Sequence, residues 1–279
     1  MTALSQWAQN GMRAGAGRPP FQIPGLTLGR AAPLLGLAVP SALLLAWYVA
    51  TAAHWVPEQI LPAPATVLNA FAVLVRSGDL QNNLAVSLSR VAYGFGAGAL
   101  AGLLFGAGMG FSDGFARLVR PTFLIIAQIP ILAWLPFFMI LLGIGEALKV
   151  VLVAKAVFTP ITLATSTGIR GVPQPYLELA RILQLSRWRT LTRVVLPAAL
   201  PQLFSGFRYG LTHAWLALVM VELLASYEGI GYLMVYSRQL FQLDVMVAIM
   251  LVIGAVGLLF DRLLALGEAW LTRRTGGVS

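Results

Sequence analysis

Long apolar runs separated by short polar segments occupy most of the chain. A transmembrane helix needs roughly 20 consecutive, mostly apolar residues. Six runs meet that requirement, at about 33–53, 85–109, 122–142, 148–168, 202–225 and 245–266. The segments between them are too short to hold a second folded domain. The pattern therefore predicts an all-α, polytopic membrane protein with six transmembrane helices.

The predicted spans divide the chain into three parts. Residues 1–32 form a Gly-, Ala- and Pro-rich arm, residues 33–274 hold the six spans, and residues 275–279 form a short tail. We expect the first apolar run to be a retained span and not a cleaved signal peptide. The third and fourth spans are joined by the short segment "GIGEALK", which predicts a tight hairpin.

Composition supports a membrane protein and excludes several other classes. Of 279 residues, 58% are hydrophobic and only 10% are charged, whereas soluble domains carry about 25% charged residues. The net charge of +9 does not indicate nucleic-acid binding, because the basic residues are scattered between apolar runs. The absence of cysteine excludes disulfides, thiolate metal sites and a cysteine nucleophile.

The distribution of Lys and Arg predicts the orientation in the membrane. Cytoplasmic loops of membrane proteins carry an excess of these residues. Twelve of them lie in the N-terminal arm, the loop after the second span, the 169–201 segment and the tail, whereas three lie in the alternate loops. We therefore expect both termini and the 169–201 segment to be cytoplasmic.

Prolines and glycines inside the spans predict kinks and close packing. Proline breaks a soluble helix, but in a membrane bundle neighbouring helices can cover the freed carbonyls. The prolines concerned are Pro40, Pro130, Pro136 and Pro160. Glycines four residues apart in the second span place small residues on one helix face, which allows another helix to approach closely. They are Gly94, Gly98, Gly102, Gly106 and Gly110, and either bundle packing or a gating role explains them.

One basic segment, "ELARILQLSRWRTLTRVVLP" at residues 178–197, is amphipathic. Its apolar positions recur at steps of three and four, the period of a helix face. The face consists of Leu177, just before the segment, Ala180, Trp188, Leu191 and Val195, together with the polar Gln184, and the arginines lie mostly off it. Such a helix could lie on anionic lipid or insert its apolar face into a groove on a soluble partner. Periodicity alone leaves both alternatives open.

The same segment resembles the signature loop of the permease subunits of bacterial ABC importers. That signature reads Glu-Ala-Ala, three residues, Gly, nine residues, Ile, one residue, Leu-Pro. The matching positions here are Glu178, Ala180, Leu196 and Pro197, with Val194 in place of Ile. Leu179 replaces the middle Ala, and Gln184 replaces the Gly that lets the loop turn between two short helices.

The resemblance extends from about residue 40 to 274. "SLSRVAYGFGAGALAGLLFGAGMG", "IPILAWLPFFMILLGIGEALKV" and "GIGYLMVYSRQLFQLDVMVAIMLVIG" are similar to the corresponding parts of this family. The C-terminal parts most resemble the branch that handles aliphatic sulfonates, taurine and nitrate. The resemblance implies a multi-pass permease of the bacterial cytoplasmic (inner) membrane that translocates a small anionic solute. An aliphatic sulfonate or taurine is the preferred solute, and nitrate, bicarbonate or a vitamin or pyrimidine precursor are the alternatives.

The family also implies partners for this chain. Its permeases pair as homodimers, which work with two ATP-binding subunits and a periplasmic or lipid-anchored substrate-binding protein. The 170–200 loop would be the coupling helix, between spans four and five, that seats in the ATP-binding subunit. The implied contacts are Glu178, Ala180, Gln184 and Leu185, with Arg181 and Arg187 as a charged rim.

The sequence itself shows no catalytic machinery. An ATP-binding loop needs Gly-x-x-x-x-Gly-Lys-Ser/Thr, and neither lysine, Lys149 or Lys155, lies in such a context. His54 and His213 have no metal-binding spacing, and no catalytic triad or carboxylate pair is evident. We therefore expect no enzyme activity and no cofactor on this chain, with ATP and Mg on the partner. A secondary transporter and an intramembrane enzyme are the alternatives from other classes.

Charged residues at membrane depth usually face a cavity or a partner. Glu222 in the fifth predicted span could line the path of the solute or pair with Arg90, Lys155 or Arg238. Arg90 could attract an anion or neutralise Glu222. An anionic headgroup would also need hydrogen-bond donors. The residues we expect along a translocation path are Gln128, Trp134, His213, Trp215, Glu222 and Arg90.

Overall fold

The part of the chain that the structure describes is built from helices. The computed structural model describes the backbone of residues 32–274 and the side chains of residues 38–268. The predicted tail and nearly all of the predicted arm lie outside the described residues. The first helix, α1 (Ala32–Ala52), contains Pro40.

The remaining helices follow one another with short connections. They are α2 (Pro64–Ser77), α3 (Asp79–Phe111), α4 (Asp113–Gln128), α5 (Ile131–Leu142), α6 (Glu146–Arg170), α7 (Gln174–Ile182), α8 (Arg187–Thr190), a π-helical turn (Leu191–Val195), α9 (Leu196–Ala225), α10 (Ile230–Gln239) and α11 (Leu243–Arg274).

Three described helices, α3, α6 and α11, are each long and apolar enough to cross a membrane. Two bent pairs pass the same test when each is counted as one span: α4 with α5, and the 187–225 stretch with α10. The described residues therefore provide three to five candidate spans. The predicted all-helical membrane protein is confirmed, whereas the count of six spans and the positions of the termini stay predictions.

The third predicted span, 122–142, is broken more sharply than the predicted kink at Pro130. α4 ends at Gln128, α5 begins at Ile131, and the two axes are bent by 96°. Pro130 has no N–H to donate and disfavours helical geometry in the residue before it. Accordingly, Ile129 is extended, with φ −73° and ψ 118°. The apolar run thus forms two short helices with a corner between them.

Helix α6 lies at the centre of the bundle, between α3 and α9. Leu148, Leu152, Val153 and Val157 on α6 are completely buried. The glycines of α3 face this helix: a Cβ on Gly106 would lie 2.6 Å from the carbonyl oxygen of Thr162. Close approach of the two backbones therefore requires glycine on this face, as the four-residue spacing predicts. α3 and α6 are packed along their length. Charged residues lie at the two ends of α6, with Glu146 in its first turn and Arg170 in its last.

Candidate functional site

The segment between α6 and α9 forms two short helices with a tight turn between them. In that turn the N–H of Gln184 donates to the Arg181 carbonyl and the N–H of Leu185 to the Ala180 carbonyl, both at 3.0 Å. Ser186 then caps the N-terminus of α8, its hydroxyl accepting from the Arg189 N–H. The predicted uninterrupted helix face from Leu177 to Val195 is therefore wrong, because the turn at 183–186 divides it.

Gln184 occupies the backbone position where the family signature has glycine. Its φ of 48° lies in the left-handed region, which costs an L-residue with a side chain roughly 1–2 kcal/mol and costs glycine almost nothing. The turn is thus made despite the substitution, at the expense of local backbone strain.

This segment exposes large apolar side chains. Ile182 is 77% exposed, Trp188 71% and Leu183 61%. Of the residues we expect to contact a partner, Leu185 is half-buried and Ala180 is buried against its own chain. The other four, Glu178, Arg181, Gln184 and Arg187, are exposed. The segment presents an apolar patch with a charged rim, whereas Ala180 is buried and does not belong to the exposed patch.

A cluster of charges, which we call the Arg90 cluster, lies at the opposite end of α6. The Arg90 guanidinium, only 1% exposed, pairs with Glu222 at 2.8 Å, Glu146 at 2.6 Å and Glu228 at 2.7 Å. Lys149 adds a second cation, 2.7 Å from Glu146. One arginine therefore joins α3, α6, α9 and the loop before α10.

The buried carboxylate of Glu222 is also fully hydrogen-bonded by neutral groups. The Ser87 hydroxyl donates to it at 2.8 Å and itself accepts from the Ile230 N–H at 2.9 Å. The Gly231 N–H donates to Glu222 Oε2 at 3.0 Å. A side chain at Gly229, where φ is +105°, would collide with Glu222 and Arg90. Buried charges are stable only when paired and hydrogen-bonded in this way.

The sequence identified the central pair of this cluster but not its periphery. Glu222 pairs with Arg90, one of the three partners considered for it, and not with Lys155 or Arg238. Ser87, Glu146, Lys149 and Glu228 were missed as site residues. The i,i+3 spacing of Glu146 and Lys149 was a signal for one pair, whereas the contact of Arg90 with Glu228 depends on tertiary packing.

The other residues expected along a path do not gather at this cluster. Gln128 is exposed on the last turn of α4, at the α4–α5 corner, and Trp134 is half-buried on α5. His213 is half-buried on α9, its Nδ1 3.0 Å from the Tyr209 carbonyl. Trp215 is only 2% exposed and donates its one N–H to the Ile253 carbonyl at 3.1 Å. In this structure Trp215 therefore has no donor left for a solute.

Near the α4–α5 corner, Lys155 of α6 forms a separate polar contact. Its ammonium donates to the Ile129 carbonyl at 3.0 Å and lies 5.4 Å from the centre of the Trp134 ring. It thus contacts the break between α4 and α5.

Membrane-length helices, with a buried charge cluster at one end of α6 and an exposed amphipathic segment at the other, are typical of an integral membrane protein. The comparisons with known proteins make this specific. Residues 94–275 match the family of binding-protein-dependent transport system inner membrane components. The chain belongs to this family and is an inner-membrane permease.

Several curated relatives cover most of this chain. It is 35% identical over 238 residues to SsuC of Bacillus subtilis (strain 168), named for aliphatic sulfonates transport, covering 85% of this chain and 86% of the relative. It is 31% identical to the taurine transport system permease protein TauC of Escherichia coli (strain K12), covering 86% and 88%. Nitrate import permease protein NrtB of Synechocystis sp. is 32% identical, covering 85% and 87%.

A solved structure shares the fold. Inward-facing MetNI methionine ABC transporter matches with a TM-score of 0.57 at 20% identity, covering 71% of this chain and 96% of the matched chain. The resemblance to the permease branch seen in the sequence is confirmed by the family match and by these relatives. The fold match supports the architecture alone.

Proposed function

We propose that this chain is the permease subunit of an ATP-driven importer and that residues 170–200 seat on the ATP-binding subunit. The observation that carries the proposal is the exposed apolar patch of this segment, formed by Leu179, Ile182, Leu183 and Trp188. Exposed apolar patches of this kind mark interaction surfaces. Exposed Glu178, Arg181 and Arg187 would form a charged rim that selects the partner and sets the rate of association.

The full assembly follows from the family and from the charge distribution. The proposed unit is a homodimer of a six-span permease surrounded by membrane lipid, with two ATP-binding subunits and a periplasmic or lipid-anchored binding protein. Both termini and the 170–200 segment would be cytoplasmic, because Lys and Arg accumulate in those loops. The Arg90 cluster would then face the outer side, where a binding protein delivers solute. ATP and Mg would be bound by the partner subunit alone.

Transport would proceed by alternating access. Closure of the ATP-binding dimer would displace the two 170–200 segments, which would move their helices as rigid bodies and open the path to the other side. The residues proposed along that path are Gln128, Trp134, His213, Arg90 and Glu222. Trp215 stays in this proposal only if motion frees its N–H from Ile253.

The proposed solute is a small oxyanion, with an aliphatic sulfonate or taurine preferred. Relatives named for sulfonates, taurine and nitrate all point to an anionic headgroup. Nitrate, bicarbonate or a vitamin or pyrimidine precursor are the alternatives within the same mechanism. Uptake of labelled taurine and of labelled nitrate into proteoliposomes distinguishes these solutes. Separate samples with ATP inside and with ATP outside test the ATP dependence of uptake.

Co-purification with the cognate ATP-binding subunit tests the proposal directly. We expect wild type to retain the ATPase at equal stoichiometry. Glu178→Ala and Ile182→Ser should lose it, since they remove a rim charge and an apolar contact. The matched control is Phe241→Ser, because Phe241 is 90% exposed but lies in the loop after α10, beyond the other end of α9. If all variants retain the ATPase equally, the 170–200 segment is not the docking surface. If wild type never retains the ATPase, or transport proceeds without it, a secondary transporter is the better explanation.

A further inference from the structure

A cavity of about 580 Å³ lies at the corner where α4 and α5 meet, beside α3 and α6. Its walls are largely aromatic, with Phe105, Phe123, Phe138 and Phe158 among the lining residues. Ligand pockets in proteins typically have volumes of about 300–1,000 Å³, with apolar walls and a few polar groups. The polar groups of this cavity include Lys155 and Trp134.

Lys155 is a cation with no carboxylate partner among the described side chains, 38–268. Arg90, Lys149, Arg170 and Arg208 all contact carboxylates, but none of the ion pairs between described residues includes Lys155. It lies about 13 Å along the 25-residue helix α6, far from either end. A charge at such depth is costly and usually indicates a functional partner. The Ile129 carbonyl accepts one of the three ammonium hydrogens.

Trp134 supplies a second donor beside that cation. Its indole Nε1 is buried and has no hydrogen-bond partner among the described residues. A buried, unsatisfied donor is destabilising, and an oxygen acceptor beside it would remove that penalty. The ring is held by stacking on Phe138, with centroids 5.8 Å apart. The donor therefore belongs to an ordered part of the cavity wall.

We propose that this cavity binds a monoanion that carries an apolar chain, with its oxyanion head at Lys155 and its chain among Phe105, Phe123 and Phe158. The charge of Lys155 selects the head, and the aromatic walls select the tail. An aliphatic sulfonate and an acyl lipid anion share this chemistry. That the ligand is the transported solute rests on the proposed function, whereas the site itself rests on the cavity and its unpaired cation.

The test is binding of alkane-1-sulfonates to the full-length chain in nanodiscs, by isothermal titration calorimetry. In phosphatidylcholine nanodiscs we expect octane-1-sulfonate to bind, with affinity rising about fourfold per methylene from butane to octane, because each buried CH₂ contributes about 0.8 kcal/mol. Lys155→Met should weaken binding at least tenfold, and Lys155→Arg should retain it. Arg76→Met, which removes an exposed charge outside the cavity, is the matched control.

A second variant keeps the test decisive if Lys155→Met does not fold. Trp134→Phe retains an aromatic ring against Phe138 and removes only the N–H, so it should weaken octane-1-sulfonate binding severalfold. Absence of binding to wild type, or binding that Lys155→Met and Trp134→Phe leave unchanged, would overturn the proposal and leave Lys155 as a structural cap of the Ile129 carbonyl.

The source of the ligand is decided by repeating the titration in nanodiscs that contain phosphatidylglycerol. If octane-1-sulfonate still binds wild type, the site serves the solute. If the anionic lipid abolishes binding, the same site holds a lipid. Co-purification with the ATP-binding subunit is measured in parallel on Lys155→Met. If Lys155→Met still co-purifies with the ATP-binding subunit but no longer binds the sulfonate, both proposals are supported. If wild type fails to co-purify with the ATP-binding subunit, only the proposed function is contradicted.

Discussion

Replacing Arg90 by methionine should destabilise the protein more than any single change at a surface ion pair. The side chain is 1% exposed and contacts three carboxylates, of which Glu222 has a completely buried side chain. Removing the guanidinium leaves Glu222 charged, buried and without a cation. Breaking a buried pair by removing one partner costs about 3–5 kcal/mol. Glu146 and Glu228 are more than half exposed, so solvent compensates for their loss of the partner.

The carboxylates around Arg90 differ in burial, and this difference provides the controls. Glu222→Gln should cost less than Arg90→Met, because Arg90 keeps Glu146 and Glu228. The double variant Arg90→Met/Glu222→Met should recover part of the loss, since no buried charge remains. Arg208→Met breaks a pair with Asp261 in which both side chains are more than a third exposed, so solvent compensates for most of the loss and the cost should be small.

The measurement is the free energy of unfolding by SDS titration in mixed micelles, with unfolding followed by circular dichroism and all variants compared over the same range of SDS mole fraction. The reasoning is refuted if Arg90→Met is no less stable than Arg208→Met, or if the double variant is as unstable as Arg90→Met alone. Either result would mean that the Arg90 cluster is solvated and does not hold the helices together.

Three further changes test the packing, the turn and one path residue. Gly106→Ala should cost about 1–3 kcal/mol by overpacking against the α6 backbone, whereas Gly96→Ala, with open space around it, should show no loss in the same SDS titration. Gln184→Gly should raise the unfolding free energy by about 1 kcal/mol by relieving the left-handed backbone, and co-purification of the ATPase should persist; a less stable variant would contradict the strained turn. Trp215→Phe should lower stability by about 1–3 kcal/mol, because the Ile253 carbonyl loses its donor, yet leave ATP-dependent uptake intact; loss of uptake with unchanged stability would place Trp215 in the path.

Hydropathy and residue spacing predicted most of the helices because their causes are local. The spans over 85–109, 148–168 and 245–266 lie within α3, α6 and α11, since an apolar run of this length has few other stable structures in a membrane. The four-residue glycine spacing likewise predicted a close helix contact. The right-angled corner at Pro130 was expected only as a kink. A proline shows where a helix is weakened, but packing on both sides decides the angle.

The site was less predictable because it is assembled by tertiary contacts. Glu222 and Arg90 stood out as charges at membrane depth, so their pairing could be considered from the sequence. Glu228 resembled an ordinary loop carboxylate, and Ser87 an ordinary polar residue within an apolar run. Only the folded bundle brings Glu228 to the guanidinium and places Ser87 between Glu222 and the Ile230 N–H.

The two ends of α6 suggest how the proposed coupling would travel through the bundle. Residues 171–195 follow directly from the last turn of α6. About 37 Å away, at the other end of the helix, Glu146 in the first turn pairs with Arg90. Between them, α3 glycines hold the two backbones in contact, which makes α3 and α6 one stiff unit. At the segment end, Arg170 adds hydrogen bonds to the Met109 carbonyl of α3 at 2.7 and 3.0 Å. A displacement of the segment would therefore shift α3 and α6 together, and the strain would fall on the contacts of Arg90 with α9 and the loop before α10.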